Sequence, residues 1–434
     1  MSTIKENISC KNAVIGIIGL GYVGIPLSLR FCQTGFKVIG FDIDKDLVTE
    51  LNHGKSSISH ISDSSIRTMI GSGFEATYEF SKIKNCDALI ICVPTPLDKD
   101  KNPDLSFVTS TMDQIQPFLK KDQILSLEST TWPGTTQEII LPYIEKKGFV
   151  VGKDFYLVYS PEREDPGNPN FSTQTIPKIV GGTTEECLDL GKNLYENVVD
   201  KVVPVSSTSV AEMIKLYENI HRSVNIGLVN EMKIISDKMG LDIYEIIDGA
   251  KTKPFGFTAY YPGPGVGGHC IPIDPFYLTW KIKEFGIDSR YIELSGEINN
   301  SMPNYIAGKI KEALNKSDKS ISSAKILILG LTYKPDIDDC RESPSVHLME
   351  ILKKEGAFLD YSDPYFPEFP KMREHSFDLK SVELSKSNLN KYDLVVLLTD
   401  HSSFDYDCIK SNSKILVDTR GKYREDNDKN IIKA

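Results

Sequence analysis

Val14-Ile-Gly-Ile-Ile-Gly19-Leu-Gly21-Tyr-Val-Gly24 opens the first legible element of the 434-residue chain. A short apolar run leads into glycines spaced GxGxxG. A helical stretch follows, and after Gly35 a second apolar run ends at Asp42. Period and punctuation read as strand, tight turn, helix, strand. In such a unit Gly19 permits the turn, Gly21 lets the backbone approach a pyrophosphate, and Gly24 lets helix and strand pack closely. The phosphates then meet helix N-terminal amides, with Tyr22 and Val23 inside the same loop. Asp42, 18 residues after Gly24, stands where a carboxylate accepts hydrogen bonds from the adenosine ribose and repels the extra phosphate of NADP. A carboxylate there favours NAD, although the positive charge of Lys45 lies nearby.

Further strand candidates are Ala88 to Val93, Ile124 to Leu127 and Phe155 to Tyr159, separated by helical or polar stretches. This alternation predicts an α/β fold with a mostly parallel sheet covered by helices. Val93-Pro94-Thr95-Pro96 and Ser129-Thr130 fall at strand ends, where open parallel sheets place ligands. Near Pro204 the texture changes. Ser209 and Glu212 read as an S-x-x-E capping box before a long helix that Gly240 ends. Val210, Met213, Ile214, Tyr217, Ile220, Val224, Leu228, Met232, Ile235 and Met239 repeat near helical spacing, and about 30 residues span roughly 45 Å. Such a rod links domains or packs against a partner subunit. After Lys325 the α/β pattern returns: Ile326 to Leu329, Gly330, a helix from Pro344 to Lys354, Gly356, and Phe358 to Tyr361. CDALIICVPTP (86–96) resembles YDLVVLLTDH (392–401), and QILSLEST (123–130) resembles KILVDTR (414–420), which suggests an internal duplication. Two Rossmann-like doubly wound domains, 1–203 and 306–434, are thus expected to flank a central helical domain, 204–305.

Sixty acidic side chains against fifty basic ones, a net charge of -10, provide no excess positive potential for nucleic acid or anionic lipid. The opening residues lack a basic region followed by an apolar stretch and cleavage site, and no apolar run of about 18 residues occurs. The expectation is a cytoplasmic protein that binds neither nucleic acid nor membrane. Eight cysteines are scattered without a CxxC pair or zinc-like spacing, which speaks against disulfides and structural metal.

Cys270 lies in Pro262-Gly-Pro-Gly-Val-Gly-Gly-His-Cys-Ile-Pro-Ile-Asp-Pro275, too rich in glycine and proline for regular structure. The chain is being bent around something there. Asp274 as N-cap with Pro275 at the first helical position would start a helix toward Phe285 and leave Cys270 near a positive helix end that favours thiolate. An isolated cysteine is more often inert core; the surrounding glycines shift the balance toward function. Lys215 and Asn219, four apart, share a helix face and could reach one ligand group, or could simply be solvated. Glu162, at the end of a strand, is a candidate base, while Glu164 and Asp165 fit a solvated loop. His269 is assigned no catalytic role.

GLGYVG, VPTP, EST, SPE, AEMIKLYEN, GPGVGGHCIPIDP and GLTYKPDIDDCRESP occur in one order over nearly the whole chain. This set resembles the UDP-glucose/GDP-mannose dehydrogenase family. The resemblance implies an N-terminal NAD domain, a central domain carrying a dimer contact, a C-terminal nucleotide-sugar domain, and an active site between them. It makes Cys270 the nucleophile, Lys215 and Asn219 the substrate-site pair, Asp274 the carboxylate that positions a water, and Glu162 the hydrolytic base. Thr130 matches a threonine near the reacting carbon. Thr95, Pro96 and Arg341 fall on the cofactor side, and Gly267, Lys334 and Arg420 on the substrate side. Ile273 replaces the lysine of CxPKD and SPEREDPG replaces the SPEFLREG type, which puts glucose specificity in doubt. KPFGFTAYYPGPGVGGHCIPIDPFYL looks most like the UDP-N-acetylglucosamine 6-dehydrogenase branch. Pro254 stands where glucose enzymes lend an arginine from a partner subunit.

The implied activity is NAD-dependent oxidation of a hexose C6 alcohol to a carboxylate in surface-polysaccharide precursor synthesis. UDP-N-acetyl-D-glucosamine is the first candidate; UDP-GalNAc, UDP-ManNAc and UDP-glucose are alternatives. Two hydrides must leave one carbon, so a thiolate that captures the intermediate aldehyde serves the chemistry. A two-electron 3-hydroxyacid dehydrogenase shares the glycine loop and a Lys/Asn pair, but explains neither Cys270 nor the last hundred-odd residues. A non-catalytic nucleotide-sugar binder would give no turnover.

Overall fold

The apolar runs become strands buried on both faces, the arrangement a parallel sheet covered by helices requires. The computed structural model describes residues 3–58, 61–100, 102–163, 171–268, 270–372, 375–426 and 428–434. They form two compact units, one of residues 1–218 and 276–287, the other of 219–275 and 288–434.

The first unit holds β1 (Val14–Ile18), β2 (Lys37–Phe41), β3 (Phe74–Thr77), β4 (Ala88–Ile91), β5 (Gln123–Leu127), β6 (Phe155–Tyr159), β7 (Lys178–Gly182) and β8 (Val202–Val205). They lie in the order β3-β2-β1-β4-β5-β6-β7-β8. All neighbours are parallel except β6 and β7, which pair antiparallel through Val158 with Gly182 and Tyr159 with Gly181. Ile15, Ile17, Phe31, Val38, Ile90 and Val158 are among its buried core, each contributing about 1.5–3 kcal/mol of transfer free energy. The run read as Ala88 to Val93 is shorter: pairing stops at Ile91, and Val93 begins the loop to Thr95.

The second unit carries β9 (Lys325–Leu329), β10 (Phe358–Ser362), β11 (Leu394–Leu397), β12 (Leu416–Asp418) and β13 (Ile431–Lys433), all parallel in the order β10-β9-β11-β12-β13. This order repeats β2-β1-β4-β5-β6, and the repetition extends to single bonds. Gly19 N donates to Phe41 O and Gly330 N to Ser362 O, both glycines at positive φ. Leu20 N donates to Asp42 and Leu331 N to Asp363; Val14 N donates to Asp87 and Lys325 N to Asp393. The two sheets differ after the first strand. In the first unit Gly19 to Val23 lead straight into the helix Gly24–Gln33, whereas residues 330–343 intervene before the helix Pro344–Lys354.

The long helix runs from Thr208 to Lys238, 31 residues, and crosses from the first unit to the second at Glu218/Asn219. The expected capping box is absent. Ser209 lies inside the helix, and Ser207 Oγ accepts from Val210 N at 3.2 Å in its place. Glu212 cannot reach back because its carboxylate is fully buried against the backbone of residues 134–136. The far end matches its signal: Gly240 has φ +71° and Leu241 N closes on Ser236 O, as left-handed caps do. Of the expected apolar stripe only Ile220 is buried. Val210, Met213, Tyr217, Leu228, Met232, Ile235 and Met239 are exposed. The packed face is Ala211, Leu216, Ser223, Gly227, Val229 and Asn230, where Gly227 lets Ser295 approach within 3.1 Å of a Cβ position. The helix Arg290–Asn315 runs on through residue 305 with Pro303 inside it. Among the described residues no helix is long and apolar enough to cross a membrane, no cluster could hold a metal ion, and no disulfide forms.

Candidate active site

At the end of β1 the glycine loop has the geometry its spacing implies. Gly19 takes φ +93°, and a Cβ there would meet Cys92 O at 2.8 Å. A Cβ on Gly24 would fall 1.9 Å from Gly19 O, so the helix start lies directly on the turn. Around Gly21 nothing stands within 4 Å of that position, which leaves room for a pyrophosphate over bare backbone. Asp42 accepts Leu20 N at 2.8 Å through one oxygen and Asp44 N at 3.0 Å through the other. Its carboxylate is thereby fixed at the strand end, and each oxygen keeps a lone pair for a ribose hydroxyl. These residues fit NAD. Neighbouring strand ends are tied together: Ser129 Oγ donates to Val93 O at 2.7 Å, and Tyr277 OH to Pro96 O at 3.1 Å. Thr95 is buried, and Thr130 is half-buried at the end of the β5 segment.

Glu162 and Lys215 meet through the backbone. Lys215, 8 % exposed, donates from Nζ to the Glu162 carbonyl at 2.5 Å. Arg163 grips Glu218 with two nitrogens, at 3.2 and 2.6 Å, adding a second tie between the post-β6 segment and the long helix. Glu212 clamps the same helix to the loop beyond Thr130 by accepting Gly134 N at 2.6 Å, Thr136 N at 2.8 Å and Thr136 Oγ1 at 2.6 Å. Burial pushes its carboxyl up to about 7 despite those three donors.

In the second unit Asn219 Nδ2 donates to Asp274 Oδ2 at 2.5 Å. Asp274 is 2 % exposed and is itself the first residue of the helix Asp274–Ile282, not the residue capping it. The carboxylate turns to Asn219 and still sits at the positive helix end. Half-buried Cys270 lies just before that helix, its carbonyl accepting Ile273 N and Asp274 N at 3.1 and 2.8 Å.

The glycines before Cys270 bend the chain around a part of its own second unit. A Cβ on Gly267 would fall 2.5 Å from Tyr333 Cβ and 2.8 Å from Glu342 O; one on Gly268, at φ +87°, would strike the Tyr333 ring at 2.9 Å. Gly268 N donates to Arg341 O at 2.9 Å, and Gly263 lies against Arg420. The cysteine loop is thus laid flush on the 330–343 segment, which brings Gly267, the backbone around Lys334, Arg341 and Arg420 together. The Arg341 guanidinium forms a forked pair with Asp339 at 2.6 to 3.1 Å, and Arg420 Nε donates to Leu398 O at 2.6 Å. His269, Glu164 and Asp165 lie outside the described residues.

Two groups escaped the sequence reading, the buried Glu128–Lys178 pair and His401, which is fully buried against Asp363 and Thr332 at 3.2 Å each, and Glu212 was read as a cap instead of a clamp. For the pair the available signal was a charge beside an apolar run, LSLEST and IPKIVGG, because a buried charge demands a partner.

A glycine loop on a parallel sheet, with a carboxylate fixed at the end of the second strand, has the geometry of a dinucleotide-binding domain. The chain matches the UDP-glucose/GDP-mannose dehydrogenase NAD binding domain over residues 13–199, the central domain over 209–301 and the UDP binding domain over 327–425. It belongs to the UDP-glucose/GDP-mannose dehydrogenase family, as an NAD-dependent UDP-sugar dehydrogenase. It is 35% identical to Protein CapL of Staphylococcus aureus over 422 residues, 96% of this chain and 97% of that one. It is 33% identical to UDP-N-acetyl-D-glucosamine 6-dehydrogenase of Pseudomonas aeruginosa, covering 91% and 92% of the two chains. The solved UDP-D-ManNAc dehydrogenase of Pyrococcus horikoshii superposes with a TM-score of 0.84 at 32% identity, covering 94% of this chain and 95% of that one.

Proposed function

We propose that this enzyme oxidises C6 of a UDP-N-acetylhexosamine to the carboxylate in two hydride transfers, with Cys270 holding the sugar between them. UDP-N-acetyl-D-glucosamine is the first substrate to test, and UDP-N-acetyl-D-mannosamine is the second because relatives of similar identity carry that name. The observation that carries the mechanism is the bond between Asn219 and Asp274, four residues beyond Cys270, on a helix whose Lys215, one turn earlier, grips the Glu162 segment.

NAD, when bound over the glycine loop, supplies the acceptor for each hydride. Lys215 and Asp274 hold a water that takes the alcohol proton, with Thr130 beside the reacting carbon. The Cys270 thiolate then adds to the aldehyde carbon as a thiohemiacetal, and loss of the second hydride leaves a thioester. An ammonium carries three donors, so Lys215 can keep the Glu162 carbonyl and still steady the oxyanion. Glu162 takes a proton from water, whose oxygen bonds to C6 as the C–S bond breaks, and the thiolate leaves. Lys334 and Arg420 contact the nucleotide sugar and Arg341 serves the cofactor side. The exposed apolar residues of the long helix, Tyr217, Leu228 and Met239 among them, support a homodimer, which the mass from sedimentation equilibrium in analytical ultracentrifugation checks. The test of function is NADH yield with purified UDP-GlcNAc, UDP-ManNAc, UDP-GalNAc and UDP-glucose: two NADH per sugar are expected from an N-acetylhexosamine. Cys270→Ser should give little or none; a full yield from that variant contradicts the scheme.

A further inference from the structure

Glu128, at the end of β5, and Lys178, the first residue of β7, flank β6 from both sides and meet across its end. Lys178 Nζ lies 2.8 Å from Glu128 Oε2 and 3.4 Å from the Pro161 carbonyl. Their side chains are 7% and 0% exposed. Tyr195 OH donates to Glu128 Oε1 at 2.6 Å and lies 2.8 Å from Ser126 Oγ, and the Lys178 ammonium stands 5.0 Å over the Tyr195 ring. Burial works against the lysine charge, yet Glu128 and Glu162 outweigh it and hold the ammonium above its ordinary range. A buried ion pair is weak evidence for stability, because apolar residues of the same shape often serve as well. Its placement asks for another reason. β6 ends at Tyr159, and Pro161 and Glu162 follow just beyond its last paired residue. Two lysines hold consecutive carbonyls there: Lys178 that of Pro161, Lys215 that of Glu162.

We infer that Lys178 is a positioning residue for thioester hydrolysis, fixing the Pro161-Glu162 backbone through its bond to the Pro161 carbonyl. This rests on the reading of Glu162 as the base that activates water. A misplacement of about 1 Å at a reacting group costs up to about a hundredfold in rate. Lys178 should therefore matter for release of product and not for the hydride transfers that precede it.

The test uses full-length enzyme, NAD and the UDP-sugar of the panel that yields most NADH, in rapid-mixing experiments. Wild type, Glu162→Gln, Lys178→Met and the charge-balanced Glu128→Gln/Lys178→Met are compared. In Lys178→Met the pre-steady-state burst of two NADH per site should persist within about twofold, while thioester hydrolysis slows about 10- to 100-fold. The double variant should stay as slow, because it removes the unpaired buried carboxylate without restoring the grip on Pro161. If Lys178→Met fails to fold, the double variant carries the test alone. Normal hydrolysis in either soluble variant, with Glu162→Gln slow, overturns the role of Lys178 and leaves the base intact. Normal hydrolysis in Glu162→Gln overturns the base assignment and the inference with it.

Discussion

Gly24→Ala exposes how much of cofactor binding depends on one missing carbon. The added Cβ would stand 1.9 Å from Gly19 O, a backbone atom that cannot rotate away, where real Cβ contacts stay beyond 3.0 Å. The helix start or the turn has to shift by about 1 Å, and overpacking of this kind costs about 1–3 kcal/mol of stability. The same shift moves the amides proposed to face the pyrophosphate. Losing one or two charge-assisted bonds, at about 1.5–3 kcal/mol each, weakens NAD binding by roughly a hundredfold. Gly21→Ala provides the contrast. Nothing in the protein lies within 4 Å of its Cβ position, so Tm should hold while the methyl occupies phosphate space and affinity falls. Calorimetric titration with NAD and thermal unfolding measure both. Unchanged affinity in the two variants would refute the pyrophosphate assignment.

Glu212 gives a pH dependence with a definite sign. Its folded pKa of about 7 lies above the 4.5 of an exposed glutamate, so between those values the folded chain holds a proton the unfolded chain has released. Its contribution to stability is full below about pH 4.5 and lost as pH rises through about 7, about 3 kcal/mol in all; Glu212→Gln should flatten that slope in Tm against pH, and an unaltered slope would assign it elsewhere. Gly268→Ala, strained at φ +87° and 2.9 Å from the Tyr333 ring, should cut turnover at least tenfold, and wild-type turnover would show that the seat of the cysteine loop on Tyr333 does not matter to catalysis. Asn219→Ala removes a donor from the buried Asp274 carboxylate, costing about 1–3 kcal/mol, and should lower kcat with little change in NAD affinity. Equal kcat in wild type and variant would remove Asn219 from the chemistry.

Where the sequence was legible, one physical demand dominated a stretch. Val14–Ile18 and Phe155–Tyr159 read correctly because strands buried on both faces must be continuously apolar. The helix Pro344–Lys354 read correctly because proline can start a helix, and Gly356 follows where it ends. The duplication showed in strand texture, but its strongest marks, the Asp42/Asp363 and Asp87/Asp393 bonds to backbone amides, depend on side chains meeting across the sheet. Ser209 and Glu212 failed because a capping box and a buried clamp share one local pattern; the donors at Gly134 and Thr136 that decide between them lie 76 or more residues away. A separation of 50 residues likewise hid Lys178 from Glu128. The dense glycines before Cys270 signalled a constraint, while its cause, Tyr333 pressed on Gly267 and Gly268, was visible only in three dimensions.

The most direct test of the covalent scheme is intact-protein and peptide mass spectrometry of Glu162→Gln quenched during turnover. A UDP-uronyl adduct confined to the peptide carrying Cys270, appearing with the second NADH, is the expected result. Its absence, with product formed at the normal rate, would contradict covalent catalysis at that sulfur.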